Sequence, residues 1–172
     1  MDSLKVEFLN KEVWILSFGG AFQRANVYKK NIDENLRKEF RKSIQLKIEE
    51  YVKKDYTHQS PTSDQHCNNL IDIKKWTDKN FSQILSANEI KLGVVQKLLN
   101  LYLKYLWCLG KVSKPPHCPI DRIIISKLDI KNPPNWTTLN DIRDYMYIVE
   151  KITQNANGID IADWELEAFE RR

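Results

Sequence analysis

The sequence predicts an all-α protein, a single compact domain of about six to eight helices spanning residues 1–172, and three observations carry that reading. Apolar residues recur three or four positions apart along most of the chain, the spacing that lines one face of a helix. Only five glycines and six prolines interrupt 172 residues, too few for the many turns of a β-protein. No stretch shows the strict alternation of a half-buried strand, and there is no internal repeat or low-complexity tract. A chain of this length buries roughly 68–70% of its unfolded surface, so its core needs no metal or disulfide.

The elements follow in order. Ser3 to about Val27 reads as one bent helix or two short ones around Gly19-Gly20, with Trp14 and Phe18 facing the core. From Asp33 to Tyr56, Leu36, Phe40, Ile44, Ile48, Tyr51 and Val52 share a face opposite Lys and Glu, the pattern of an amphipathic helix. Thr57–Asn69 is polar, contains Pro61 and is expected to be a mobile loop. A short helix over Asp72–Ala87 then leads through a tight connection to Gly93. Val94–Leu109 is apolar around most of its circumference, which marks a central helix, and one polar stripe survives on it: Lys97, Asn100 and Lys104. Pro115-Pro116 stiffens the next connection, and Pro119 opens a helix over 119–130 with Ile120, Ile123, Ile124 and Leu128 inward. Thr137 or Thr138 is expected to cap a helix that reaches Asn155 and is stopped by Gly158. A last acidic helix, Ile161–Glu170, is built on Trp164, Leu166 and Phe169.

Composition narrows the class. The hydrophobic share is 42% and the charged share 29%, a globular rather than a disordered profile. No apolar run is long enough for a membrane span, and the first residues lack the shape of a signal peptide. The three cysteines have no CxxC pair, which points away from a disulfide framework and toward a reducing cytoplasm. His66-Cys67, Cys108 and His117-Cys118 lack the paired spacing of zinc ligands; no metal and no cofactor is expected, and Cys108 reads as a small core residue. The net charge of +4 is uneven: residues 74–131 carry 11 Lys/Arg against 4 Asp/Glu, the footprint of a polyanion or of an ordinary solvated lysine surface.

The chemistry-bearing block runs from Ile84 to Ile125. A turn before the central helix presents the backbone N–H groups of Gly93, Val94 and Val95 at a helix N-terminus, a ready anion site if they are unpaired. Lys97 lies in the first turn on the polar stripe, and the Pro115–Pro119 connection lets the chain return so that Asp121 approaches Lys97.

In Gly93-Val94-Val95-Gln96-Lys97 and Pro119-Ile120-Asp121 this block resembles the helix-hairpin-helix DNA glycosylase superfamily, as a divergent member of the 8-oxoguanine or modified-base kind. Val95 stands where that family has its second hairpin glycine. The resemblance implies a helix-hairpin-helix element over about 72–109 that grips a DNA phosphate through Gly93, Val94 and Val95. It implies Asp121 as the essential carboxylate and Lys97 as an amine nucleophile, with Lys104 on the same stripe as the alternative. The implied activity is removal of an oxidised, alkylated or otherwise modified base flipped out of double-stranded DNA, in repair or antiviral defence. The protein would work as a monomer in the cytoplasm, at the nucleoid in a bacterium, away from any membrane. Trp14, Phe18, Tyr102, Trp107 and His117 are candidates for the base pocket. Two other readings stand beside it: a non-catalytic helical DNA-binding module, and a protein-interaction adaptor whose basic segment meets an acidic partner.

Overall fold

Seven α-helices account for most of the described residues, 3–169, of the computed structural model, and no strand occurs among them: α1 (Ser3–Phe22), α2 (Glu34–Asp55), α3 (Ser63–Phe81), α4 (Leu92–Cys108), α5 (Arg122–Ser126), α6 (Ile142–Ala156) and α7 (Ile161–Ala168). The all-α reading and its range of helix number hold.

The apolar helix α4 is the centre of the arrangement, buried along nearly its whole length from Leu92 to Leu106 and packed chiefly against α1 and α3. α1 is one continuous helix rather than two. It crosses α4 closely because residue 20 has no side chain: a Cβ there would lie 2.6 Å from Cδ1 of Leu101. Trp14 is buried and stacks on Tyr102 of α4 with ring centroids 4.0 Å apart. On α2, Asp33 caps the first turn by accepting from the Asn35 N–H, and Phe40, Ile44, Ile48 and Val52 form the buried stripe. Leu36, expected on that stripe, is exposed.

The segment expected to be a mobile loop, 57–69, is helical from Ser63 onward. A reciprocal capping box starts α3 there: the Gln65 N–H donates to Thr62 Oγ1, and the Thr62 N–H donates to Gln65 Oε1. Polar composition misled here because the polar residues of this stretch go inside, with His66, Cys67 and Asn69 all on the buried face of α3. The helix also ends at Phe81 rather than Ala87. The connection to α4 is a longer path through a 3₁₀ turn at Ser86–Asn88, tied down by one β-bridge between Tyr28 and Leu85.

Three later expectations also shift. The helix over 119–130 shortens to α5, because the Asp121 side chain supplies the cap and only Arg122–Ser126 follows in helical form. Asp141 caps α6, whereas Thr137 and Thr138 lie in a turn closed by Asn135. In α7, Leu166 and Phe169 are exposed and Glu165 is buried; Glu170 lies outside the described residues. Cys108 is exposed, so it is not a core residue, and all three cysteines are free thiols.

Candidate functional site

The polar stripe on α4 makes the site. Beside Lys97 and Asn100 it is extended by Gln96, whose side-chain amide pairs with the backbone of Ile120: Nε2 donates to the Ile120 carbonyl at 2.7 Å and the Ile120 N–H donates to Gln96 Oε1 at 3.1 Å. One turn on, Asn100 Nδ2 donates to the Cys118 carbonyl at 3.0 Å. These buried amide contacts hold residues 118–120 against α4, so Asp121 arrives directly over Lys97. Leaving any of these groups unpaired in the core would cost about 1–3 kcal/mol, which makes the docking specific.

Asp121 divides its carboxylate between two tasks. Oδ1 accepts from the N–H groups of Ile123 and Ile124 at 2.8 and 3.0 Å and starts α5. Oδ2 accepts from Lys97 Nζ at 2.9 Å. The approach of Asp121 to Lys97 expected from the sequence is therefore present. Lys97 is only 8% exposed. Its ammonium also lies 4.5 Å from the centroid of the Trp136 ring, a cation–π contact. Burial holds the Lys97 amine below its ordinary value; the Asp121 carboxylate opposes this, while the positive charge of Arg24 adds to it. The effect is a lysine poised between ammonium and free amine more evenly than an exposed one.

This pair borders an open cavity of about 200 Å³ lined by Gly19, Gly20, Gln23, Arg24, Lys97, Asp121, Arg122, Ile123 and Trp136. A larger groove of about 580 Å³ shares Arg24, Arg122 and Trp136 with it and continues along Ile125, Ser126, Pro133, Pro134, Asn135 and Thr137.

Several expected site residues lie elsewhere. The N-terminus of α4 offers no free amides. The Gly93 N–H donates to the Leu139 carbonyl at 2.8 Å, and those of Val94 and Val95 to the Lys91 carbonyl at 3.0 and 3.2 Å. All three residues are buried, since the chain around Trp136–Asn140 lies across this end of the helix. A phosphate grip through Gly93–Val95 is excluded by that cover. Lys104 forms a separate buried ion pair with Glu165 at 2.7 Å, its ammonium 4.0 Å from the Phe169 ring centroid, and does not line the cavity.

None of the five aromatic or imidazole candidates borders the cavity either. Trp14, Phe18 and Tyr102 belong to the α1–α4 interface, and Trp14 Nε1 donates to Glu49 at 2.8 Å. Trp107 meets Lys114, 5.9 Å from its ring centroid. His117 is in the core: Nδ1 meets the Tyr145 hydroxyl and Nε2 the Ser63 hydroxyl, both at 2.8 Å. Its ring lies 4.6 Å from that of His66, which bonds the Tyr56 hydroxyl at 2.8 Å. Burial lowers His117 to about 4, and burial with the neighbouring His117 lowers His66 well below its ordinary value.

Sequence reasoning missed Trp136, Arg24 and Arg122. Trp136 follows Pro133-Pro134-Asn135 in irregular chain, where no periodicity shows which way a side chain faces. Among the described residues no group of three or more His, Cys, Asp or Glu side chains is arranged to hold a metal ion. No described helix is long and apolar enough to cross a membrane. Comparison of the chain with protein-family models, curated proteins and solved structures finds no match.

Proposed function

We propose that the protein is a DNA glycosylase acting on a damaged or modified base, with Lys97 as nucleophile and Asp121 as its proton acceptor and charge stabiliser. The observation that supports this reading is the 2.9 Å contact between Lys97 Nζ and Asp121 Oδ2 at the edge of an open cavity walled by Trp136. Loss of a base builds positive charge on the sugar, and a fixed carboxylate beside it lowers the energy of that state. Asp121 takes a proton from the Lys97 ammonium, and the free amine bonds to the sugar C1′. The base departs with the electron pair of its C1′–N bond and takes up the proton that the attacking nitrogen then releases, which leaves a neutral aminal. The proton on Asp121 then passes to the ring oxygen as the sugar opens to a protonated Schiff base.

A non-catalytic helical DNA-binding or adaptor module is the second reading. Its support is the capping role of Asp121, which gives that carboxylate a purely structural reason to be where it is. DNAs bearing a panel of altered bases, incubated with the protein and then heated in alkali, separate the two. Base release by the wild type but not by Asp121→Asn supports the glycosylase. Binding without release from any member of the panel supports the module. A borohydride trap lost in Lys97→Gln and kept in the Lys104→Met/Glu165→Leu double variant identifies the nucleophile.

A further inference from the structure

The cavity beside Lys97 opens between two arginines from distant parts of the chain: Arg24, just past the end of α1, and Arg122, the first residue of α5. Both are exposed, and among the described residues neither forms a salt bridge or a side-chain hydrogen bond. The carboxylate nearest in sequence to Arg122, Asp121, is committed to two backbone N–H groups and to Lys97. Four other lysines of the basic middle segment, in contrast, are ion-paired within the protein: Lys74 with Asp78 and Glu89, Lys91 with Glu89, Lys104 with Glu165, and Lys114 with Asp160 and Asp163. The cavity therefore holds three cations against one carboxylate, and the adjoining groove holds the same two arginines and no acid at all. An excess of positive charge of this kind attracts an anion, and guanidinium groups favour phosphate oxygens through paired N–H donors.

We infer that Arg24 and Arg122 form a phosphodiester clamp at the mouth of the Lys97 cavity, holding the backbone of a nucleic-acid strand whose extruded nucleotide enters beside Trp136. This rests on the nucleotide reading of the same cavity and extends it to how the strand is held, a role that the covered N-terminus of α4 does not fill. The sugar next to the clamped phosphate lies toward Lys97 and Asp121. The strand continues along the groove formed by Ile125, Pro133, Pro134 and Thr137. The rigid proline pair gives that groove a wall that needs little ordering when the strand arrives.

The test is fluorescence anisotropy with the full chain and a labelled short duplex carrying a tetrahydrofuran abasic analogue, against the same duplex with uncharged methylphosphonate linkages flanking the analogue. Arg24→Gln and Arg122→Gln are each expected to weaken binding about tenfold, near 1.4 kcal/mol. The methylphosphonate probe should bind the wild type at least as weakly, and the double variant should no longer distinguish the two probes. Lys53→Gln, remote and exposed, controls for general charge. Equal wild-type affinity for the two probes overturns the clamp, as do arginine variants no weaker than the Lys53→Gln control, or no binding at all. Displacement of the probe by 2-deoxyribose 5-phosphate as readily as by unlabelled duplex overturns the strand and assigns the arginines to a free sugar phosphate. Base release is not read here, so a clamp that binds with no excision of any base rejects the glycosylase and keeps the clamp.

Discussion

A Cβ on Gly93 would lie 1.7 Å from the carbonyl oxygen of Trp136. The glycine that resembles a DNA-gripping hairpin is instead the seat on which the Trp136 backbone rests. That seat aims the indole at Lys97.

Gly93→Ala should therefore damage the site from beneath. The clash is with backbone, which cannot rotate away, so a loss of at least about 1–3 kcal/mol is expected. Urea unfolding reads that loss, and near-ultraviolet circular dichroism reads the displaced Trp136. Stability and indole environment unchanged from wild type would contradict the contact.

The two oxygens of Asp121 predict two separable effects. Asp121→Asn keeps an oxygen able to cap α5 and loses the charge, whereas Asp121→Ala loses both. The alanine variant should be less stable than the asparagine variant by about 1 kcal/mol, the usual worth of a helix cap. In Asp121→Asn the Lys97 amine loses the carboxylate that opposes its desolvation, so it should titrate lower still. NMR titration of the lysine ε-carbon measures that shift, and an upward movement would contradict the pairing.

Lys104 and Glu165 should behave as a closed unit. Both are buried and 2.7 Å apart, and burial raises the Glu165 carboxyl against the pull of Lys104. Lys104→Met or Glu165→Leu alone strands a charge and should cost about 3–5 kcal/mol. The double variant should cost much less than the sum of the two. Additive losses in thermal unfolding would show that the pair does not interact.

The buried imidazoles set an acid limit. An unfolded histidine titrates near 6.5, the folded His117 near 4, and His66 is lowered as well. Between those values the unfolded chain binds protons that the folded chain excludes, so stability is whole above about pH 6.5 and falls as pH drops toward 4. For His117 alone the loss is about 3 kcal/mol, at 1.36 kcal/mol per unit. His117→Gln should flatten that slope; an unchanged slope in pH-dependent urea unfolding would remove His117 as a cause.

The legible part of the site was the part that broke a pattern. Lys97, Asn100 and Lys104 stood out because polar residues on an otherwise apolar helix need partners, and each has one. Asp121 followed from its place after the proline-rich return. The illegible part was what fills irregular chain. Trp136, Arg24 and Arg122 lie outside helices or at the start of a very short one, where spacing carries no direction. The start of α3 was in principle readable, since Thr62 and Gln65 stand at capping-box spacing, but the polar run around them masked it. The free amides expected at Gly93–Val95 failed for two reasons: α4 begins earlier, at Leu92, so the Val94 and Val95 N–H groups close its first turn on Lys91, and the Gly93 N–H is taken by Leu139, more than forty residues later.

The order of the site residues along the chain has a consequence during synthesis. Asp121 follows Lys97 by 24 positions, and Trp136 comes later still. A ribosome adding roughly 5–20 residues per second leaves Lys97 for seconds without its acid, its aromatic cover or a cavity. Throughout that interval the amine is an ordinary solvated lysine. The buried, paired environment of Lys97 is therefore assembled only once the chain through Trp136 has been made.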